Sequence, residues 1–554
     1  MMEPAIVKES MAREEAEAAG TANGWAWAVG GLMVLLAGLV AFGWLARLAP
    51  ADGLVDFRYA ENLARGQGFV FNAGERVLGT ASPLFAALLG LGGVVFGVDR
   101  VPLVAHVLGI LCGAVAGGAV YGLLRSVRVG PAWSAASMLV VGLHPAILAA
   151  TVGGEAIALG LALVAVGLVA VVRGWWIVAA VMAALLVPAQ AWGLLWALLL
   201  VAAIVWGAGR RALGPLAVFA ILLGAWLIFA TVYFGSPVPL PLRAECAAQM
   251  HAGGWAGWLG VLRWYGGWLV DHLWMPHTYG HAALRWQVWA WIVLLVVGCL
   301  GIARRPRRLH GVILLPAAIA VYGVVLLWGV DLRAKGVAAP LAWSSVVLGM
   351  LGLWELWVVG QLYWREFGLT HWVLDVLAAL TVLGLVLSIA NRDEVMYRQG
   401  REARYARRMA GTEAGTWLAG HADADARVAV DGVGYAAYTA RRPIIDLRGS
   451  VSPAVVERMA CTASFGARMQ AVLAAEAPQY VVLPTRSVRD NRHGADGALF
   501  ETREQAWYFR AHYVPVFESW APDDDATAPD GVSELTVYRR RAPAPVGRSG
   551  KGQS

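Results

Sequence analysis

Long apolar runs separated by short polar stretches fill most of the first 390 positions of the chain. The first run spans 25–48, from Trp25 to Leu48. A polar stretch at 49–82 follows, and then a shorter run, 83–98, that opens with Pro83. Further runs lie at about 101–124, 132–151, 155–172, 174–190, 191–207, 213–235, 286–303, 311–329, 337–358 and 369–390. Most approach the roughly 20 residues a helix needs to cross the hydrocarbon core of a bilayer. The pattern therefore predicts a polytopic α-helical membrane protein. From 393 it changes to short apolar runs at 427–431, 443–447, 479–484 and 534–538, which read as buried strands, with helices expected at 454–463 and 467–477. That alternation predicts a small α/β domain.

Loop charge assigns the sides. Arg210 and Arg211 form one basic loop, and Arg304, Arg305, Arg307 and Arg308 form a stronger one. Basic loops stay cytoplasmic. Counting outward from these two loops puts Arg125, Arg128, Arg173 and Arg365 inside, and Glu155, Asp331 and everything after 391 outside. With an inside N-terminus and 49–82 outside, the run 83–98 cannot cross. About eleven spans are expected, with 83–98 re-entrant or interfacial; twelve would require one basic loop to break the rule. The expected organisation is a cytoplasmic tail 1–23, a transmembrane domain 24–392 with outer segments 49–82 and 236–285, an extracytoplasmic α/β domain 393–541, and a disordered tail 542–554.

The composition agrees, at 59% hydrophobic and 15% charged. The net charge of +7 is no sign of nucleic-acid binding, because the basic residues sit largely in short loops where membrane orientation explains them. The 27 Trp suit membrane interfaces. Four cysteines make no disulfide framework. Asp271, His272, His277 and His281 fit no strong metal spacing. No cofactor is identified; a divalent cation is compatible with an acidic outer site, without a ligand set to name. Asp431-Gly-Val-Gly434 lacks the full dinucleotide-loop pattern.

Candidate chemistry concentrates in 49–82, where acids and guanidiniums follow the first span. Asp52 is placed to take a proton from an attacking hydroxyl as general base, and Asp56 is the second choice. Arg58 and Arg65 match phosphate oxygens bidentately. Glu155 is an acid at an outer helix end, where the helix dipole also favours it. Asp331 lies at the mouth of its spans, with an ion pair to Arg333 or Lys335 as the structural alternative.

The ordered run Arg58-Tyr59-Ala-Glu61-Asn62-Leu, Gly66-Gln-Gly68, Asn72-Ala-Gly74-Glu75-Arg76-Val and Thr80-Ala-Ser82-Pro83-Leu84 resembles the first outer loop of a group of GT-C glycosyltransferases. That group includes the mycobacterial terminal β-(1→2) arabinofuranosyltransferases. Gly154-Glu155, Tyr233-Phe234-Gly235-Ser236, Asp331 and the run 429–449 resemble later landmarks of the same group. The chain departs from it at Ala51-Asp52, where an Asp pair is usual, and at Pro239–Glu245.

The resemblance implies a GT-C fold and inverting transfer of a sugar, in that group arabinofuranose, from a polyprenyl-phosphate donor to an extracytoplasmic glycan acceptor. It implies that Arg58, Tyr59, Asn62, Glu155, Arg243 and Asp331 serve the donor, and that the protein lies in the inner (plasma) membrane with its site outside. A lipid-linked glycan transporter and a non-catalytic glycan- or lipid-binding relative are the competing readings.

Overall fold

A computed structural model describes residues 24–41, 53–190, 193–244, 284–303, 335–366, 408–458, 465–491, 498–520 and 534–541. The expected runs 311–329 and 369–390, both terminal tails, Asp52, Asp331 and most of 236–285 lie outside the described residues.

The apolar part is helical. It comprises α1 (Gly24–Ala41), α2 (Leu54–Ala64), α3 (Pro83–Phe96), α4 (Val101–Ser126), α5 (Pro131–Gly142), α6 (Pro145–Val152), α7 (Ile157–Arg173), α8 (Trp176–Ala189), α9 (Gly193–Ala208), α10 (Leu213–Phe234) and α11 (Leu240–Ala244), then helices Leu284–Ala303 and Lys335–Glu366. Among the described residues four stretches are long and apolar enough to cross a membrane: Gly24–Ala41, Val98–Ser126, Gly193–Phe234 and Trp343–Gln361. The chain is a multi-pass membrane protein.

Two features refine the sequence reading. The expected run 132–151 is two helices, broken at His144-Pro145. Proline lacks the N–H a continuous helix needs, and it pushes the preceding residue out of helical conformation. The run 83–98 forms α3, whose 14 residues rise about 21 Å, well short of a bilayer core. α3 runs beside α2 in the same direction. Ser82 meets Asp56 at one end, while Gly90 abuts Leu63 and Gly93 abuts Ala64 further along.

Close packing in the bundle uses small residues, which let helices approach where lipid offers no hydrophobic drive for association. A Cβ at Gly109 of α4 would stand 2.2 Å from the Thr151 carbonyl oxygen, and one at Gly352 would stand 1.9 Å from that of Leu294. The buried core of α4, α7, α8 and α9 is built of Ala, Val and Leu around such contacts.

The C-terminal domain holds a five-stranded sheet in the order β2-β1-β3-β5-β4, with strands β1 (Val428–Val430), β2 (Ile444–Asp446), β3 (Tyr480–Pro484), β4 (Tyr513–Trp520) and β5 (Glu534–Arg540). β1 pairs in parallel with β2 and β3, while β5 is antiparallel to β3 and β4. β1, β2 and β3 are buried along their whole length, which is why they read as continuous apolar runs rather than alternating ones. Successive side chains still divide between faces. Ala429, Ile445, Val481 and Leu483 pack with Phe465, Met469 and Leu473 of helix Phe465–Glu476. Val428, Val430, Tyr480 and Val482 pack instead with Tyr59 of α2 and with Phe69 and Phe71 of the loop that follows it. One face of the sheet therefore has that loop as part of its core.

The free edge of β2 is met by two side chains: Ser452 Oγ accepts the Asp446 N–H at 2.9 Å, and Asn72 takes both backbone groups of Ile444. Asn72 donates from Nδ2 to the Ile444 carbonyl at 2.9 Å and accepts the Ile444 N–H on Oδ1 at 3.0 Å. The carboxamide takes the place of a neighbouring strand. Asn72→Ala should lower stability by about 1–3 kcal/mol, because it strands a buried N–H and C=O. Detergent melts of the full chain, read by intrinsic fluorescence, check this, and Asn72→Gln should fail to restore the midpoint.

Candidate active site

α2 carries the candidate residues. Asp56, Tyr59 and Leu63, spaced three and four apart, lie along the side that meets α3 and the returning loop. Arg58, Glu61 and Arg65 lie along another side, toward helix Tyr435–Ala440 of the C-terminal domain.

On the first side Asp56 is buried, and both its oxygens are occupied. Thr80 donates its hydroxyl to Oδ1, and Ser82 donates to Oδ2 at 2.8 Å. Thr80 Oγ1 also accepts the Ser82 N–H at 2.9 Å, which fixes the turn just before Pro83 starts α3. Burial pushes the Asp56 carboxyl up to about 6; the two hydroxyls oppose the shift, and the nearby Glu155 charge adds to it.

Glu155 is itself buried and sits in the turn before α7. Gly154 there has φ +66°, and His106 of α4 lies under it. His106 Nδ1 lies 2.8 Å from the Val152 carbonyl, which can only accept, so that nitrogen carries the proton. Gly53, the residue after Asp52, packs against the same turn: a Cβ there would stand 3.2 Å from the Gly154 oxygen. Asp56 and Glu155 therefore share one place, with the head of α2 beside them.

Tyr59 and Asn62 are buried and spend their polar atoms on backbone. The Tyr59 hydroxyl donates to Val77 O at 2.5 Å and accepts the Gly79 N–H at 2.8 Å. Asn62 Nδ2 donates to Val70 O and Phe71 O, both at 2.9 Å. These bonds hold the loop that delivers Thr80 and Ser82.

Tyr233, at the end of α10, accepts the Phe69 N–H at 3.0 Å, and the Arg76 guanidinium lies 4.9 Å from its ring centre. Leu240 N then donates to Leu78 O at 2.7 Å. Arg243, on α11, is exposed, and α11 lies beside helix Pro453–Arg458.

On the second side the Tyr438 hydroxyl donates to Glu61 Oε1, and Arg65 pairs with Glu61 Oε2 at 3.1 Å. Burial weakens the hold of the Arg58 guanidinium on its proton, and the Glu61 carboxylate opposes that effect. Tyr438 and Arg441 were invisible to sequence reasoning because 377 positions separate Tyr438 from Glu61. Thr80 and Ser82 had a fainter signal, two hydroxyls just before a helix-starting proline. Among the described residues no group of three or more His, Cys, Asp or Glu could hold a metal ion.

Across solved structures, ArnT from Cupriavidus metallidurans in the apo state superposes with a TM-score of 0.52 at 14% identity, over 92% of this chain and 98% of that one. The same protein bound to undecaprenyl phosphate gives 0.50 at 12% identity, with the same coverage. The chain has the GT-C fold. A mycobacterial arabinofuranosyltransferase, AftD, gives 0.46 at 15% identity, over 92% of this chain and 41% of its own, too weak a superposition to add to this. Residues 395–538 match a family described as a domain of unknown function, DUF8728. No curated protein matches the chain. The C-terminal domain is joined to α2 and the loop after it by Asn72, by Tyr438 and by the close approach of Gly79 to Ser450 and Val451.

The raised Asp56 carboxyl has a stability consequence. Its ordinary value is 3.8 and its value in the fold is about 6, so the folded chain holds the proton more tightly. The stabilisation this brings is complete below about 3.8 and is lost as pH rises through about 6, an effect of about 3 kcal/mol. Asp56→Asn should therefore melt higher than wild type at pH 7.5, with the difference vanishing near pH 4. Paired thermal melts across that range check the sign.

Proposed function

We propose that the protein is a membrane glycosyltransferase that moves a sugar from a polyprenyl-phosphate-linked donor to a hydroxyl of a cell-wall or surface glycan, inverting the anomeric carbon. What carries this reading is the buried Asp56 carboxylate beside Glu155 at the head of α2, in a fold shared with a protein solved with undecaprenyl phosphate bound. The first-loop resemblance suggests arabinofuranose as the sugar.

The reading places the chain in the inner membrane with this site outside. The two ends of α4 support that orientation. Ala105 and His106 meet the Glu155 turn at one end, while Gly122 meets the Arg173 guanidinium, near Arg125 and Arg128, at the other. The C-terminal domain then covers the site from outside. A cavity of about 420 Å³, between Glu75 and Val77 of the loop and Ile444, Ser452 and Glu457 of the domain, suits an acceptor glycan.

In the reaction the acceptor oxygen attacks the anomeric carbon. Its proton passes to a carboxylate, and the bond from carbon to phosphate oxygen breaks with its electron pair leaving on the phosphate. Asp52 is assigned as the base. In sequence it stands two positions before α2 begins, whereas Asp56 has both oxygens engaged by Thr80 and Ser82. Asp56 is the second reading, favoured by its carboxyl at about 6, a value suited to proton transfer near neutral pH. Arg58 and Arg243 are assigned to the donor phosphate, and Glu155 and Asp331 to the rest of the donor. Tyr59 and Asn62 serve the donor through the loop they hold. Rate would come from positioning and from stabilising charge on the departing phosphate.

The test is transfer by the purified protein in lipid from a panel of polyprenyl-phosphate sugars that includes arabinofuranose. Asp52→Asn should lower the rate by about 10²–10⁴-fold, while Asp56→Asn keeps measurable turnover. The reverse pattern moves the base to Asp56. Wild type that binds polyprenyl phosphate yet transfers from no donor would sink the enzyme reading.

A further inference from the structure

The seam between α2 and helix Tyr435–Ala440 holds more positive charge than its own carboxylate can answer. Phe57 and Tyr438 meet edge-on at 6.4 Å between ring centres, which brings the two helices together. Arg58 and Arg65 enter from α2, and Arg441 enters from the C-cap of the other helix at φ 51°. Arg58 lies close enough to feel the charge of both Arg65 and Arg441, with Glu61 the acid beside it. Glu61 is already committed, one oxygen to the Tyr438 hydroxyl and the other to Arg65. Among the described residues Arg58 Nε is buried with no hydrogen-bond partner. A buried donor left unpaired costs about 1–3 kcal/mol, and more when charged, so native proteins rarely leave one without a ligand, ion or water.

We propose that this seam is a phosphoryl-anion site, completed by the C-terminal domain, in which Arg58 from the first loop and Arg441 from the domain grip one phosphate between them. A phosphate supplies the acceptors that Arg58 Nε lacks, and guanidiniums match its oxygens in pairs. The Tyr438–Glu61 bond positions both sides, because it fixes the distance between the helices that carry the two arginines. Neither half of the chain holds the site alone, so docking of the domain is a condition for binding the anion. The inference rests on the glycosyltransferase reading for the identity of the anion, the donor's phosphate or the one released, but not for its existence.

Binding rather than turnover tests it, with the full chain in nanodiscs. In one arm inorganic phosphate is titrated against chloride at equal ionic strength, and the melting midpoint is read. In the other, nanodiscs contain a polyprenyl monophosphate or neutral lipid alone. Phosphate should raise the wild-type midpoint by a few degrees beyond chloride. Arg58→Ala and Arg441→Ala should each weaken that response about tenfold or more, and Arg441→Lys should restore part of it. Arg441 is exposed, so its variants test the site even where Arg58→Ala fails to fold. A response to polyprenyl monophosphate alone, lost in Arg441→Ala, assigns the site to the lipid headgroup; a response to both assigns it to phosphate from either source. No response beyond chloride and neutral lipid in wild type, or one undiminished in Arg441→Ala, overturns the proposal. A phosphate response that depends on Arg441, in a protein that transfers no sugar, would leave the site standing and remove the enzyme reading.

Discussion

The carboxamide of Asn72 on the edge of β2 is the contact on which the C-terminal domain and the loop around α2 depend. The loop after α1 has no core of its own. Tyr59, Phe69 and Phe71 are buried between one face of the sheet and Ala86, Tyr233 and Phe234 of the helical part. Asn72 fixes where that happens, since its two hydrogen bonds to Ile444 allow a single register. From there the loop is tied down at Val70, Phe71, Val77 and Gly79 by two side chains of α2, and so reaches Thr80 and Ser82 in position to meet Asp56.

Both charged faces of α2 oppose the fold that contains them. Among the described residues Asp56 is satisfied by two neutral hydroxyls rather than by a cation, and these hold the carboxylate in place without cancelling its desolvation. An arginine in their place would have pinned the carboxylate in its charged form. Arg58 is the converse, a cation in the seam whose natural counter-charge, Glu61, is spent on Tyr438 and Arg65. Residues two apart on a helix do not face each other, so α2 keeps the acid and the guanidinium apart and presents one toward the bundle and the other toward the C-terminal domain.

This geometry changes how the loop residues are understood. Grouped along the sequence, Asp56, Arg58, Tyr59 and Asn62 look like one polar surface for one ligand. In the helix they divide into a carboxylate beside Glu155, two buried residues that organise backbone, and an arginine at a domain seam. The shared GT-C architecture extends over nearly the whole chain at 12–14% identity. At that distance the fold persists through apolar patterning, while the polar details belong to this chain.

The sequence by itself determined what depends on nearest neighbours and on periodicity. The apolar runs marked the helices, β1, β2, β3 and β5 appeared as short buried runs, the shortness of 83–98 foretold the short helix α3, and the density of acids and guanidiniums singled out the loop proposed to carry the site. Three other features were decided only by tertiary structure. The helix Leu54–Ala64 lay hidden in a stretch that reads as polar loop, because its buried faces meet α3 and the C-terminal domain rather than lipid. The short helix Tyr435–Ala440 was hidden in a glycine-rich run. The pairings Asn72 with Ile444 and Glu61 with Tyr438 join positions more than 370 residues apart. The reason is common to all three: a hydrogen bond between distant segments leaves no periodic trace in either, and a buried polar residue reads as a surface one until the chain that covers it is in place.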